Sequence, residues 1–267
     1  MTELNISEAS IEEFQQDGAV VLRGVFRGWI EALAAGVAEV MKHPSLLERS
    51  YRPKDGSAVF FQDYCNWSRI AAFRAFIFES PAAEAAARLM KSNTARFFHD
   101  HVLVKPPGNS TVTPWHQDQP YYCVSGSQSV SFWTPLDPVS RAVTLECVAG
   151  SHRWHAEGYR PKRFDGTPLY AHDDFEEVPD IDARRSQLRI KGWEMDPGDA
   201  VAFDFRTIHG APANTATRTR RVFSSRWVGA DARFVRRGAA GSPPFAHLTL
   251  EDGAPFDAPD FPLIYTR

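Results

Sequence analysis

The sequence predicts a mainly β protein with flanking helices, and three observations carry that expectation. Helical spacing of apolar residues is concentrated before Thr94. From Thr94 onward, runs of branched and aromatic residues alternate with turns rich in Pro and Gly. Apolar residues make up 43% of the 267 positions, enough for a sizeable core, and no repeat or low-complexity tract divides the chain.

Taken in order, Ser7 or Ser10 can cap a short helix that ends at Asp17-Gly18. Residues 19–23 have strand character, and Gly24 closes them. Ile30, Leu33, Val37 and Val40 recur at helical spacing and predict a helix over 29–41. Residues 58–64 read as a strand or a pocket-edging loop. Pro81 suits the first turn of a second amphipathic helix reaching Met90. A long strand over 95–105 stops at Pro106-Pro107-Gly108. Further strands are expected at 130–135, 142–148, 200–205 and 222–228, with Pro197-Gly198-Asp199 as one intervening turn.

One domain over 1–267 accounts for this order. It has a mostly helical part at 1–93, an antiparallel β sandwich or barrel at 94–230, and an irregular strap at 231–267. The polar stretch 155–193 reads as an insertion over one end of the sheet.

A net charge of −3 gives no reason to expect nucleic acid or an anionic membrane as partner. No apolar run reaches membrane-span length and the first residues lack a signal pattern, so a cytoplasmic protein acting on a small molecule is expected. Cys65, Cys123 and Cys147 show no CxxC or zinc-like spacing, which suits inert thiols in a reducing compartment. The oligomeric state has no signature here.

The chemistry concentrates at His116-Gln-Asp118. In an extended segment, residues i and i+2 point to the same side, so an imidazole and a carboxylate can reach one ion. His209 follows a predicted strand, and Gly210 follows it, so a second strand can deliver a third ligand. Two His and one carboxylate on one face leave open positions on an octahedral metal, the arrangement of non-heme iron(II) oxygenases. Alone, an HxD is more often a surface turn. Arg220, eleven residues past His209, strengthens the metal reading as a guanidinium fork for a carboxylate, with Arg221 and Arg226 as rivals. His99 and His101 lie mid-strand without a third partner, so a metal role for that pair is not expected. His152 and His155 read as loop-shaping residues, and Asp204 as a salt-bridge partner.

Lys105-Pro-Pro-Gly, Trp115-His-Gln-Asp-Gln-Pro-Tyr-Tyr, Ala149-Gly-Ser-His and His209-Gly…Asn214…Arg220 resemble the phytanoyl-CoA dioxygenase family over roughly residues 96–228, with a weaker match at Gln62-Asp63. The resemblance implies a double-stranded β-helix (jelly-roll) core with the N-terminal helices packed on the sheet. It implies iron(II), 2-oxoglutarate and O2, with succinate and CO2 released. His116, Asp118 and His209 would hold the iron and Arg220 the C5 carboxylate, while His101, Ser131 and Trp133 fall at cosubstrate positions. Phe60 and Ala211 depart from the human peroxisomal member, which has a cosubstrate lysine and a small hydroxyl residue there. A carboxylate at Asp118, rather than the small residue of related halogenases, implies hydroxylation.

Phe60, Gln62, Tyr64, Asn66, Trp67, Gln119, Tyr121 and Tyr122 flank these motifs and are expected to line the substrate pocket. Their mix of aromatic and amide groups favours a small polar or amine-bearing metabolite over a CoA thioester. Arg153, Arg160, Lys162 and Arg163 keep the thioester open. Two other classes use the same residues: a zinc hydrolase or isomerase, and a catalytically silent binding protein.

Overall fold

The computed structural model describes residues 6–155, 157–164, 166–170, 175–237 and 241–267. Helix α1 (Glu8–Asp17) begins where the Ser7 hydroxyl accepts from the Ser10 amide at 3.1 Å. It ends at Gly18, whose φ of 73° is left-handed. A Cβ there would stand 2.4 Å from both His152 Nδ1 and Thr207 Oγ1. The Gly18 carbonyl accepts from Thr207 Oγ1 at 2.8 Å, so the helix end is pinned to the loop that leads into His209.

Strand β1 (Ala19–Leu22), α2 (Ile30–Lys42), β2 (Phe61–Tyr64), α3 (Ala71–Glu79) and α4 (Ala82–Met90) follow. Helix α3 lies where no separate helix is expected, because its sequence AAFRAFIFE is apolar on nearly every side and shows no amphipathic period. The β part comprises β3 (Thr94–Lys105), β4 (Thr113–His116), β5 (Val124–Ser125), β6 (Ser129–Pro135) and β7 (Glu146–Val148). It continues with β8 (Ile190–Lys191), β9 (Ala200–Phe203), β10 (His209–Ala211), β11 (Arg220–Val228), β12 (Arg233–Phe234) and β13 (Leu263–Thr266). The strand expected over 142–148 is shortened, since Arg141–Val143 forms a 3-10 turn. The strap is not irregular to its end: β13 pairs with β3.

The larger sheet has seven antiparallel strands in the order β1-β9-β6-β11-β3-β13, with β2 also paired to β3. The smaller has four, β4-β10-β7-β8. Side chains alternate across each strand, which gives the larger sheet two different faces. Val130, Phe132, Ala200, Ala202, Phe223 and Trp227 join Leu33, Val37, Phe73 and Phe76 in the helix-side core. Trp133, Val201, Phe203 and Val222 face the other way and meet Cys147 and Ala211 of the smaller sheet.

Cross-strand partners share a face, so the register lays out this inner face in rows. Arg226 stands opposite Ser131, Ser224 opposite His101 and Trp133, Val222 opposite Leu103, and Arg220 opposite Lys105. Tyr64 extends the His101 row. Among the described residues, no helix is long and apolar enough to cross a membrane.

Candidate metal centre

His116 ends β4, His209 begins β10, and the two are register partners. Their ring centroids lie 4.2 Å apart. Asp118 is not in an extended segment as the sequence suggests. Its ψ of −41° starts the 3-10 turn Gln119–Tyr121, which Pro120 favours. The Asp118 amide donates to the Phe205 carbonyl at 2.8 Å and holds this turn. As a result Asp118 Oδ1 lies 3.7 Å from His116 Nε2 and 3.8 Å from His209 Nε2. The ligand atoms of the three residues all fall within 4.8 Å of one another.

Each imidazole is fixed through its other nitrogen. His116 Nδ1 meets the Pro114 carbonyl at 2.8 Å, and His209 Nδ1 meets the Thr207 carbonyl at 2.9 Å. A carbonyl only accepts, so Nδ1 carries the proton and Nε2 offers its lone pair inward. Gln117 points away: it donates to the Arg206 carbonyl and accepts from the Tyr159 amide at 2.9 Å.

Burial works against the charge of Asp118, but the Arg226 guanidinium, both imidazoles and the Tyr122 hydroxyl outweigh it and hold the carboxyl below its usual range. Arg226 Nε is 3.5 Å from Oδ2, and Ser131 Oγ donates to the same oxygen at 3.3 Å. Oδ2 is thereby occupied while Oδ1 faces the imidazoles. Burial, reinforced by the neighbouring His116, pushes the His209 imidazole down to about 3, so it is neutral across the physiological range. Asp118 and His209 are thus free of protons at the atoms they offer a cation, and His116 Nε2 is grouped with them. Ser131 therefore supports the metal carboxylate, where the sequence suggests a cosubstrate contact.

The site opens into a cavity of about 750 Å³. Arg220, 6% exposed, lines it from the last row of the inner face. Its guanidinium donates to the Val143 carbonyl and lies 5.9 Å from the Trp133 ring. No carboxylate among the described residues offsets it, and burial lowers it to about 10. Of its rivals, Arg221 pairs with Asp137 at 2.7 Å outside the cavity, and Arg226 is committed to Asp118. His101 stacks on Tyr64 at 3.8 Å, and its Nε2 has no hydrogen-bond partner among the described residues.

Phe60, Gln62, Tyr64, Tyr121, Tyr122 and Ala211 line the cavity. Asn66, Trp67 and Gln119 do not. Cys65, with a left-handed φ of 58°, turns the chain away after β2. The Asn66 side chain then donates to Asp63 at 3.1 Å, and Trp67 packs on Phe97 at 6.0 Å. Gln119 edges a separate small crevice near Gly126.

The insertion forms one wall of the cavity with Arg160, Lys162, Phe164 and Ile181; of the four cations that keep the thioester open, Arg160, Lys162 and Arg163 line the cavity and Arg153 does not. The Tyr121 hydroxyl donates to the Lys162 carbonyl at 2.7 Å and ties this wall to the metal motif. Sequence reasoning did not assign Lys105, which is buried beside Arg220; its place at every second position after His101 and Leu103 was the available signal. His99 is fully buried and lies outside the metal-capable cluster. His155 faces Glu176 at 3.6 Å, and Asp204 binds Arg206 at 3.1 Å.

Two imidazoles on paired strands and a carboxylate from the turn that follows, with one side open, define the class of facial-triad metal proteins. Residues 14–222 match the family model described as phytanoyl-CoA dioxygenase (PhyH). The chain belongs to that family. A probable phytanoyl-CoA dioxygenase of Caenorhabditis elegans is 28% identical over 143 residues, covering 51% of this chain and 44% of the relative. The match thus spans less than half of that relative's length.

Among solved structures, the non-heme alpha ketoglutarate dependent carbocyclase SnoK from nogalamycin biosynthesis has a TM-score of 0.75 at 21% identity, covering 97% of each chain. The epimerase SnoN, solved with Fe3+, alpha ketoglutarate and nogalamycin RO, scores 0.75 at 21% identity over 96% of this chain and 98% of its own. EctD from S. alaskensis, solved with 2-oxoglutarate and 5-hydroxyectoine, scores 0.70 at 17% identity over 96% and 87%. These likenesses establish a shared fold.

Proposed function

We propose that the protein is an iron(II)- and 2-oxoglutarate-dependent dioxygenase with a double-stranded β-helix (jelly-roll) core, acting as one domain to hydroxylate a C–H bond of a small molecule. One observation carries this reading. The clustered His116–Asp118–His209 triad and a buried arginine without a carboxylate partner among the described residues share a single cavity. The donor set fits iron(II): two imidazole nitrogens and one carboxylate oxygen leave room for further ligands on the open side. When bound, iron(II) with 2-oxoglutarate and O2 supplies the oxidising power to replace C–H by C–OH, releasing succinate and CO2.

The chain's own residues do the rest. Pro114 and Thr207 carbonyls fix both imidazoles, and Ser131 with Arg226 holds the rear oxygen of Asp118. Arg220, backed by Trp133, receives the distal carboxylate of the cosubstrate. His101 offers an unused ring nitrogen at the cavity wall. Phe60, Tyr64, Tyr121 and Phe164 give the substrate an aromatic seat, and the insertion walls one side of it. The same ligands in a zinc hydrolase would leave Arg220 without a task.

SnoN, solved with Fe3+ and alpha ketoglutarate, and EctD, solved with 2-oxoglutarate, support the cosubstrate assignment. Because SnoK and SnoN are described as a carbocyclase and an epimerase, the outcome needs its own test. Anaerobic addition of iron(II) and 2-oxoglutarate should produce a weak visible charge-transfer band, and product formed under 18O2 should carry the label. Folded protein that shows neither the band nor cosubstrate binding overturns the reading. Unlabelled product overturns hydroxylation alone.

A further inference from the structure

A second cation stands beside Arg220. Lys105 ends β3 and is the direct register partner of Arg220, so both side chains leave the same face of the sheet and both line the cavity. Lys105 is 1% exposed. Neither cation is offset by a carboxylate among the described residues. Two like charges held together out of water destabilise the protein unless an anion joins them. Burial, and after it the neighbouring Arg220, pushes the Lys105 ammonium down to about 6.

Lys105 Nζ donates to the Thr111 carbonyl at 2.7 Å and to Thr113 Oγ1 at 3.1 Å. An ammonium has three N–H donors, so one has no oxygen or nitrogen acceptor among the described residues, and the Phe60 ring lies 4.6 Å from Nζ. Arg220 has five, and the bond to the Val143 carbonyl uses few of them. The surplus donors and the uncompensated charge lie in the same row of the sheet.

We infer that Lys105 is a second cationic contact for the distal carboxylate of the cosubstrate, shared with Arg220. This rests on reading the cavity as a 2-oxoglutarate site. One carboxylate oxygen meets the guanidinium and the other the ammonium; the arriving anion offsets both charges and favours uptake of a proton from solvent by Lys105. Thr113, held by Lys105, opens the strand that ends in His116, so the ammonium also links the cosubstrate pocket to the metal strand. A lysine that merely anchors the 106–112 turn would behave differently when removed.

The test loads the protein with Mn(II) and titrates it with 2-oxoglutarate and with oxalate, which chelates the metal but has no distal carboxylate. Thermal melting reads binding in the wild type, Lys105→Met, Lys105→Gln and Arg220→Met. Lys105→Met is expected to weaken 2-oxoglutarate by roughly tenfold or more while oxalate binds as before. Its ligand-free melting temperature should hold or rise. Lys105→Gln, which keeps a donor toward Thr111, should show the same selective loss and covers the case of a Met variant that does not fold.

Unchanged 2-oxoglutarate affinity in a folded Lys105 variant, with Arg220→Met weakened, overturns this inference alone. So does an equal loss of both ligands. A wild-type protein that takes up no 2-oxoglutarate overturns the functional reading itself.

Discussion

On the helix-covered face of the larger sheet, strands β6, β9 and β11 present Val130, Phe132, Ala202, Phe223 and Trp227. One residue along, the same strands present Ser131, Phe203, Ser224 and Arg226 to the cavity. The outer face stabilises the protein by removing apolar surface from water, roughly 25 cal/mol per Å². The inner face does the reverse: it keeps Lys105 and Arg220 buried with no carboxylate beside them among the described residues, a cost in desolvation until an anion arrives. Strand alternation thus separates what holds the fold from what the fold holds. Substitutions on the two faces should therefore move different observables.

The largest effect belongs to the outer face. Phe223 is fully buried and packs on Phe73 with centroids 4.4 Å apart. Phe223→Ala should cost about 3–5 kcal/mol of stability, read by urea unfolding, because the helices cannot close the cavity it leaves. In protein that remains folded, metal affinity should stay near the wild-type value. A large loss of metal affinity at unchanged stability would show that the two faces are not independent.

On the inner face the signs invert. Arg220→Met should weaken 2-oxoglutarate roughly 100-fold by calorimetry while leaving stability equal or higher, since a desolvated charge is replaced by an apolar chain. Arg226→Met is expected to act one step earlier, on the metal. With Oδ2 of Asp118 no longer held by the guanidinium, Mn(II) affinity measured by EPR should fall roughly tenfold to 100-fold. A result with Arg226 affecting the cosubstrate and Arg220 the metal would reverse their assignment.

The difference between the faces also explains what the sequence reveals. The three ligands were legible because His116 and Asp118 sit in one short motif and His209 follows a short, continuously apolar strand. The helix-side core was legible wherever apolar period and strand period agreed, as in α2 and β6. Helix α3 was hidden by its near-uniform apolarity. Asn66 and Trp67 were misplaced because a left-handed residue at Cys65, which side-chain type does not announce, turns the chain toward the helices. The work of Ser131, Arg226 and Lys105 depends on cross-strand register, a property of pairs of segments that no single segment encodes.

Register also yields the smallest and most diagnostic expectation. Unfolded, Lys105 keeps its proton up to its ordinary 10.5; folded and metal-free, burial and then Arg220 bring that limit down to about 6. Between these values the unfolded chain binds more protons, so raising the pH favours the folded state, by at most about 1.4 kcal/mol per pH unit for one group. Below pH 6 the lysine is charged in both states and its burial penalty is fully felt. Lys105→Met lacks this dependence altogether. Urea unfolding of ligand-free protein from pH 6.5 to 9.5 should therefore find the variant more stable at the acid end and the gap narrowing toward the alkaline end. A gap that stays constant with pH would mean that the lysine is not desolvated as its place beside Arg220 requires. A gap that widens would mean that the ammonium is already stabilised by a partner, leaving Arg220 to meet an anion without it.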